Sequence, residues 1–272
     1  MWRCIIICCG LWLAACSGVT EAPAPIDISN LVSETGVETD RSALKIIRLS
    51  DGQIWQSGQA RLTDRYPPAS TSKIPHTLIM IEDDMATPDT QFKWDGTTRF
   101  VDNWNRDQTL ASAFRYSTVW VYQDLVAKQG YEAMQDWMTR LNYGNAYIGD
   151  ASDVTTYWLR GPLEISVDEQ INFLTGLTTR DLPFSEATYS AALPLMIETQ
   201  TDDYILYAKT GWRHDGESMD IGWYVGWVET QYNGQPDIYV FAFNMDMPDG
   251  AGRNKRKTLV KSALASIGAF PN

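Results

Sequence analysis

The last third of the chain limits the fold more than any other stretch. Three apolar runs, YILYAKTGW (204–212), DIGWYVGWVET (220–230) and DIYVFAFNMDM (237–247), read as strongly patterned strands, the last two joined through a turn. A second strand signal stands near the other end, where LKIIRL and QIW flank Ser50-Asp51-Gly52, a hairpin with an Asp-Gly turn. Helical spacing fills the middle: Ser70 to Asp84 after the Pro67-Pro68 stop, Thr118–Lys128 closed by Gly130, and Tyr131–Leu141 closed by Gly144. Ser166–Leu177 follows, opening on the capping box Ser166-Val-Asp-Glu169, and Arg253–Ile267 reads as a closing helix. Strands at both ends with helices between them predict an α/β (α+β) sandwich, an antiparallel sheet flanked by helices with a helical subdomain. No internal repeat is visible, and the folded domain is assigned to residues 41–272.

All four cysteines, Cys4, Cys8, Cys9 and Cys16, fall in the first sixteen residues. Arg3 followed by an apolar run to Ala15 reads as a signal segment over 1–15, too short for the roughly 20 residues that span a bilayer. Its end, Leu13-Ala14-Ala15-Cys16, resembles the lipobox of bacterial lipoproteins, with an ordinary A-x-A-type cleavage site as the competitor. On the lipobox reading Cys16 is lipidated and the protein is exported to the periplasm, held at the outer membrane. Residues 16–40, polar and carrying prolines, are expected to be a tether. A net charge of −12 argues against a nucleic-acid partner, so contact with a membrane would come only through the lipid. The two histidines, His76 and His214, lie far apart in no metal-binding pattern, so no metal is expected.

Serine acyl chemistry needs a hydroxyl beside a base. In Ser70-Thr71-Ser72-Lys73 the lysine follows the serine by one turn on the same face of a beginning helix, whose N-terminal N–H groups suit an oxyanion. Alone the pattern is weak, and Ser42-Ala-Leu-Lys45 matches it too, but runs into a strand without proline punctuation and reads as a decoy. His76 is turned away from Ser70 by about 240° on a helix and reads as a polar helix residue. Lys209-Thr210-Gly211 ends a strand, where a lysine and a hydroxyl can hold a carboxylate and a glycine admits a substrate backbone.

Ser-x-x-Lys with Lys-Thr-Gly at this separation is the pattern of penicillin-recognising serine enzymes. The chain resembles class D (oxacillinase-type) β-lactamases in PPASTSKIP around Ser70, Ser117-Thr118-Val119, Tyr143-Gly144-Asn145 and Tyr157-Trp158-Leu159. The likeness continues in IS-x-x-EQI-x-FL at 165–174, KTGW at 209–212 and IGWYVGWVE at 221–229, and covers about residues 42–268. It implies hydrolysis of β-lactam small molecules by two-step acyl transfer, and resistance to those antibiotics. Ser70 would be the nucleophile, the backbone N–H groups of Ser70 and Trp212 the oxyanion donors, and Lys73 the base after CO2 converts it to a carbamate (N6-carboxylysine). No other cofactor is implied. Val119 and Leu159 would line the lysine pocket, the Trp158 indole would donate to the carbamate, and Ser117 would relay a proton to the leaving nitrogen. Lys209, Thr210 and Arg256 would hold the substrate carboxylate, with Gly211 beside them. Arg256 is preferred to Arg253 because it lies three residues before Leu259, at the edge of the apolar stripe Leu259, Ala263, Leu264 and Ile267.

Ser72 departs from the resemblance, since an aromatic usually precedes the motif lysine, and its absence leaves a gap in the pocket wall. Glu164 is placed to suggest the glutamate base of class A enzymes. The chain has Ser-Thr-Val where those enzymes have Ser-Asp-Asn, however, so Glu164 is read as a surface acid before a helix cap. Tyr143-Gly144-Asn145 is expected to act as a turn. A β-lactam sensor, or a transpeptidase that deacylates slowly, is the alternative. The 213–220 loop after the Lys-Thr-Gly strand is expected to decide how carbapenems are handled, and a homodimer is carried as a candidate assembly.

Overall fold

The computed structural model describes residues 23–214, 216, 219–250 and 252–270. The signal segment and Cys16 lie outside the described residues. Along the chain run β1 (Ile26–Asp27), α1 (Ser29–Glu34), β2 (Ser42–Arg48), β3 (Ile54–Ser57), α2 (Lys73–Glu82), β4 (Gln91–Phe92) and β5 (Gln108–Thr109). Then come α3 (Leu110–Tyr116), α4 (Val119–Gln129), α5 (Tyr131–Arg140), α6 (Tyr157–Arg160), α7 (Val167–Thr178) and α8 (Glu186–Ala192). β6 (Ile197–Gln200), β7 (Ile205–Arg213), β8 (Ile221–Tyr232), β9 (Gln235–Asp246) and α9 (Lys255–Ser266) complete it.

Seven strands form one sheet in the order β1-β3-β2-β9-β8-β7-β6. Every neighbouring pair is antiparallel except β1 and β3 at one edge, so the sheet is mixed rather than wholly antiparallel. β8 is buried without interruption from Ile221 to Val228 because both of its faces are covered. Trp223, Val225 and Trp227 point into the larger core beneath α2–α8, whereas Tyr224 and Val228 point into the smaller core under α1 and α9. The stripe Leu259, Val260, Ala263 and Leu264 of α9 is wholly buried in that second layer. Each of its larger side chains contributes roughly 1.5–3 kcal/mol by leaving water.

Residues 16–40 are not a uniform tether. β1 pairs parallel with β3, Ile28 N–H donates to Gln56 O at 2.9 Å, and α1 buries Val32 completely. The reason is an edge: β3 would otherwise present a row of unpaired backbone groups, and Val32 and Val37 have an apolar layer to join. The Asp-Gly hairpin forms between β2 and β3, with Gly52 at φ 73°. Ser166 caps α7 in a reciprocal box, its Oγ accepting from Glu169 N–H at 3.1 Å while the Glu169 carboxylate accepts from Ser166 N–H at 2.9 Å.

Candidate active site

Ser70 does not open an α-helix. It lies in a 3-10 turn, Ala69–Ser72, and α2 begins at Lys73. In a 3-10 turn residues three apart eclipse one another, which places Lys73 directly over Ser70. Lys73 Nζ donates to Ser70 Oγ at 3.1 Å. Ala69, just before the serine, is held in the left-handed region at φ 49°, a cost met by the bonds around it. Thr71 N–H and Oγ1–H both donate to Pro68 O, and Ser72 Oγ–H donates to Ala69 O at 2.7 Å. Ser72, where the resemblance leads one to expect an aromatic, is thus fully buried and turned back onto its own turn.

β7 lies against this turn because of Gly211. A Cβ at that position would stand 2.8 Å from Pro68 O and 3.1 Å from Thr71 Cγ2, so any other residue would push strand and turn apart. Ser117 caps α3 at φ 58° and meets the same strand, its Oγ accepting from Lys209 Nζ at 2.9 Å. A cleft of about 970 Å³ opens above, lined among others by Ser70, Ser117, Val119, Leu159, Thr210, Gly211, Trp212 and Arg256. Lys73 and Trp158 lie beneath its floor, fully buried. Lys209 faces a second cleft of about 520 Å³ that shares Thr210 with the first.

Burial sets the charges. Lys73 is pushed well below the ordinary lysine range, first by desolvation and then by the charge of Lys209. Its Nζ sits 5.0 Å from the centroid of the Tyr122 ring. Trp158 Nε1 is buried with no hydrogen-bond partner among the described residues, an arrangement native proteins avoid unless a ligand, water or modification accepts the bond. Lys209 is pushed down to about 7, by burial and then by Lys257 and Arg256, with Glu198 acting the other way.

Arg256 is buried at the first turn of α9, where Nη1 donates to Gly211 O and Trp223 O and Nε donates to Arg253 O. Burial and the neighbouring Arg253 lower it to about 10. Arg253 is exposed and stacks its guanidinium 4.8 Å from the centroid of the Trp212 ring, so both arginines reach the cleft.

Elsewhere, Lys45 of the decoy motif lies on β2 and pairs with Asp168 at 2.8 Å. Glu164 is half-buried and serves the turn at 143–145, its carbonyl accepting from Asn145 N–H at 2.9 Å. Gly144 stands in that turn at φ 61°, and a Cβ there would meet the same carbonyl at 2.1 Å. His76 makes no bond to Ser70; it is fully buried, bonded to Tyr157 and edge-on to Trp158. Sequence reasoning also missed Asp220, whose buried carboxylate accepts from Trp212 Nε1–H at 2.8 Å and pairs with His214 Nδ1 at 2.8 Å. The eight-residue spacing from Trp212 to Asp220 across a loop carries no periodic signal that would have shown it.

Residues 39–265 match the family model described as penicillin binding protein transpeptidase domain. The chain is 40% identical over 215 residues to β-lactamase OXA-20 of Pseudomonas aeruginosa, covering 78% of this chain and 77% of the relative. It is 39% identical over 212 residues to β-lactamase OXA-48 of Klebsiella pneumoniae, with 78% and 77% covered. Among solved structures it is similar to the class D β-lactamase YbXI from Nostoc, with TM-score 0.84, 32% identity, and 90% and 100% of the two chains covered. FUS-1 (OXA-85), a class D enzyme from Fusobacterium nucleatum subsp. polymorphum, superposes with TM-score 0.82 at 33% identity, over 89% and 97%.

Proposed function

The chain belongs to the class D serine β-lactamases, and from that membership we propose that it hydrolyses β-lactam antibiotics, and so confers resistance to them, through an acyl-enzyme on Ser70. The observation that carries the mechanism is Lys73: a buried amine whose charge is disfavoured, 3.1 Å from Ser70 Oγ, with the buried indole N–H of Trp158 lacking an acceptor on the neighbouring α6. These residues fit a lysine carbamate. The neutral amine is the form that reacts with CO2, and Trp158 Nε1–H is available to hold the new carboxylate. Carbamylated Lys73 supplies the general base that both acylation and deacylation need.

Ser70 Oγ gives up its proton and attacks the lactam carbonyl; the C–N bond breaks and the nitrogen takes a proton through Ser117. The backbone N–H groups of Ser70 and Trp212 stabilise the oxyanion. Val119 and Leu159 keep the floor of the cleft apolar. Lys209, Thr210 and Arg256 hold the substrate carboxylate, and water then cleaves the ester. Removing CO2 at mildly acidic pH should abolish turnover of a chromogenic cephalosporin, and bicarbonate should restore it. Trp158→Ala should make the loss far easier. Indifference to bicarbonate in both proteins rejects the carbamate, and one stoichiometric burst without turnover favours a sensor or transpeptidase. Lipidation of Cys16 and export to the periplasm are proposed on Leu13-Ala14-Ala15-Cys16, and attachment to the outer membrane on Ser17, rather than aspartate, after the cysteine.

A further inference from the structure

Two buried nitrogens on neighbouring rings lack partners among the described residues, Trp158 Nε1 and Nδ1 of His76. His76 lies one turn beyond Lys73 on α2 and is fully buried. Its ring meets the Trp158 ring edge-on, centroids 4.9 Å apart and planes at 82°. The Tyr157 ring meets the same indole at 4.9 Å and 80°. The two rings that grip the indole are bonded to one another, His76 Nε2 to Tyr157 Oη at 2.7 Å. Because α2 carries the lysine and α6 carries the indole, this bond ties together the two helices that set where Trp158 stands relative to Lys73.

We propose that His76 is a positioning residue for lysine carboxylation: through its bond to Tyr157 it holds Trp158 with the indole N–H aimed at the carboxyl group that CO2 adds to Lys73. The inference rests on the carbamate reading above. An imidazole here is costly, since packing alone would be served by an apolar ring and Nδ1 is left without a partner. The bond to Tyr157 is what the nitrogen supplies in return. Burial holds His76 down at about 3 and keeps the Tyr157 hydroxyl protonated, so the bond joins two neutral groups across the working pH range.

The test compares wild type with His76→Phe, Tyr157→Phe and the double variant, each checked for folding by its melting temperature. The readouts are the 13C carbamate resonance of Lys73 titrated with labelled bicarbonate, and the bicarbonate concentration that gives half-maximal activity. Each single variant should need about tenfold more bicarbonate, and the double variant no more than either, because all three lose the same bond. Tyr157→Phe removes a single oxygen atom and tests the bond even if the histidine variant fails to fold. Unchanged titrations, or single effects that multiply in the double variant, overturn the assignment and leave His76 as packing. A wild type with no carbamate resonance overturns the carbamate reading itself and this inference with it.

Discussion

Lys73 and Lys209 are both buried lysines whose positive charge is disfavoured, and they reach that state by different means. Lys73 faces the Tyr122 ring and stands one turn from the neutral His76; desolvation dominates, and the charge of Lys209 adds to it. Lys209 stands between two clefts, bonded to Ser117, with Lys257 and Arg256 opposing its charge and Glu198 supporting it, and settles at about 7. Desolvation by rings gives an amine that stays uncharged and can be modified. Desolvation balanced against mixed charges gives one that titrates near neutrality, so an arriving carboxylate can call up its cation. On the proposed mechanism, chemistry sits at the first corner and recognition at the second.

Removing the serine between the two corners should have the largest effect. Ser70→Ala should reduce turnover by at least about a thousandfold, and intact-mass spectra of the wild type should show a penicillin adduct that maps to Ser70. An adduct on another serine, such as Ser42, would break the comparison at its root.

The recognition corner comes next. Arg256→Ala should raise KM for penicillins by roughly 10- to 150-fold, as expected for a charged hydrogen bond worth about 1.5–3 kcal/mol, while saturating substrate still acylates Ser70. Arg253→Ala should change KM little. If steady-state kinetics return the reverse, the exposed arginine on Trp212 is the carboxylate ligand.

A smaller effect separates the two lysines by pH. Since folded Lys209 loses its proton near 7, kcat/KM for anionic β-lactams should decline as pH rises through that value. The same shift acts on stability with a definite sign. Between about 7 and 10.5 an unfolded lysine binds the proton that folded Lys209 has released, so stability should rise with pH across that window. Melting curves of Lys209→Met should lack this part of the rise; identical slopes in variant and wild type would refute it. Glu198→Gln should have the least effect, moving the declining limb of kcat/KM to lower pH by removing a carboxylate that supports the Lys209 cation.

Legibility in the sequence follows the range of the interactions. The strand runs, the Asp-Gly turn and the capping box of α7 all act within a few residues, and each stands where the spacing puts it. Ser70 and Lys73 are readable as a pair, but the 3-10 geometry between them depends on Pro68 and on β7 packing against the turn. α1 is not readable: it is six residues long, lacks a side-chain cap, and is held by Val32 in a layer made from distant strands. The clamp of His76 and Tyr157 around Trp158, and Asp220 beneath Trp212, join residues that no periodicity connects. Arg256 stands at the inward face of α9, as its spacing from Leu259 predicts, yet its carbonyl partners on β7 and β8 belong to tertiary packing alone.

The place of β2 within the sheet governs how such a chain can assemble. β2 lies between β3 and β9, with Ser42 opposite Met245, so roughly two hundred residues form the loop that this pairing closes. Contacts of such sequence separation make folding slow and leave it to the end of synthesis. Until β9 is present, β2 and β3 have no sheet to join, and β8 lacks a neighbour on one side. A chain cut short before Gln235 therefore loses the middle of its sheet as well as its end.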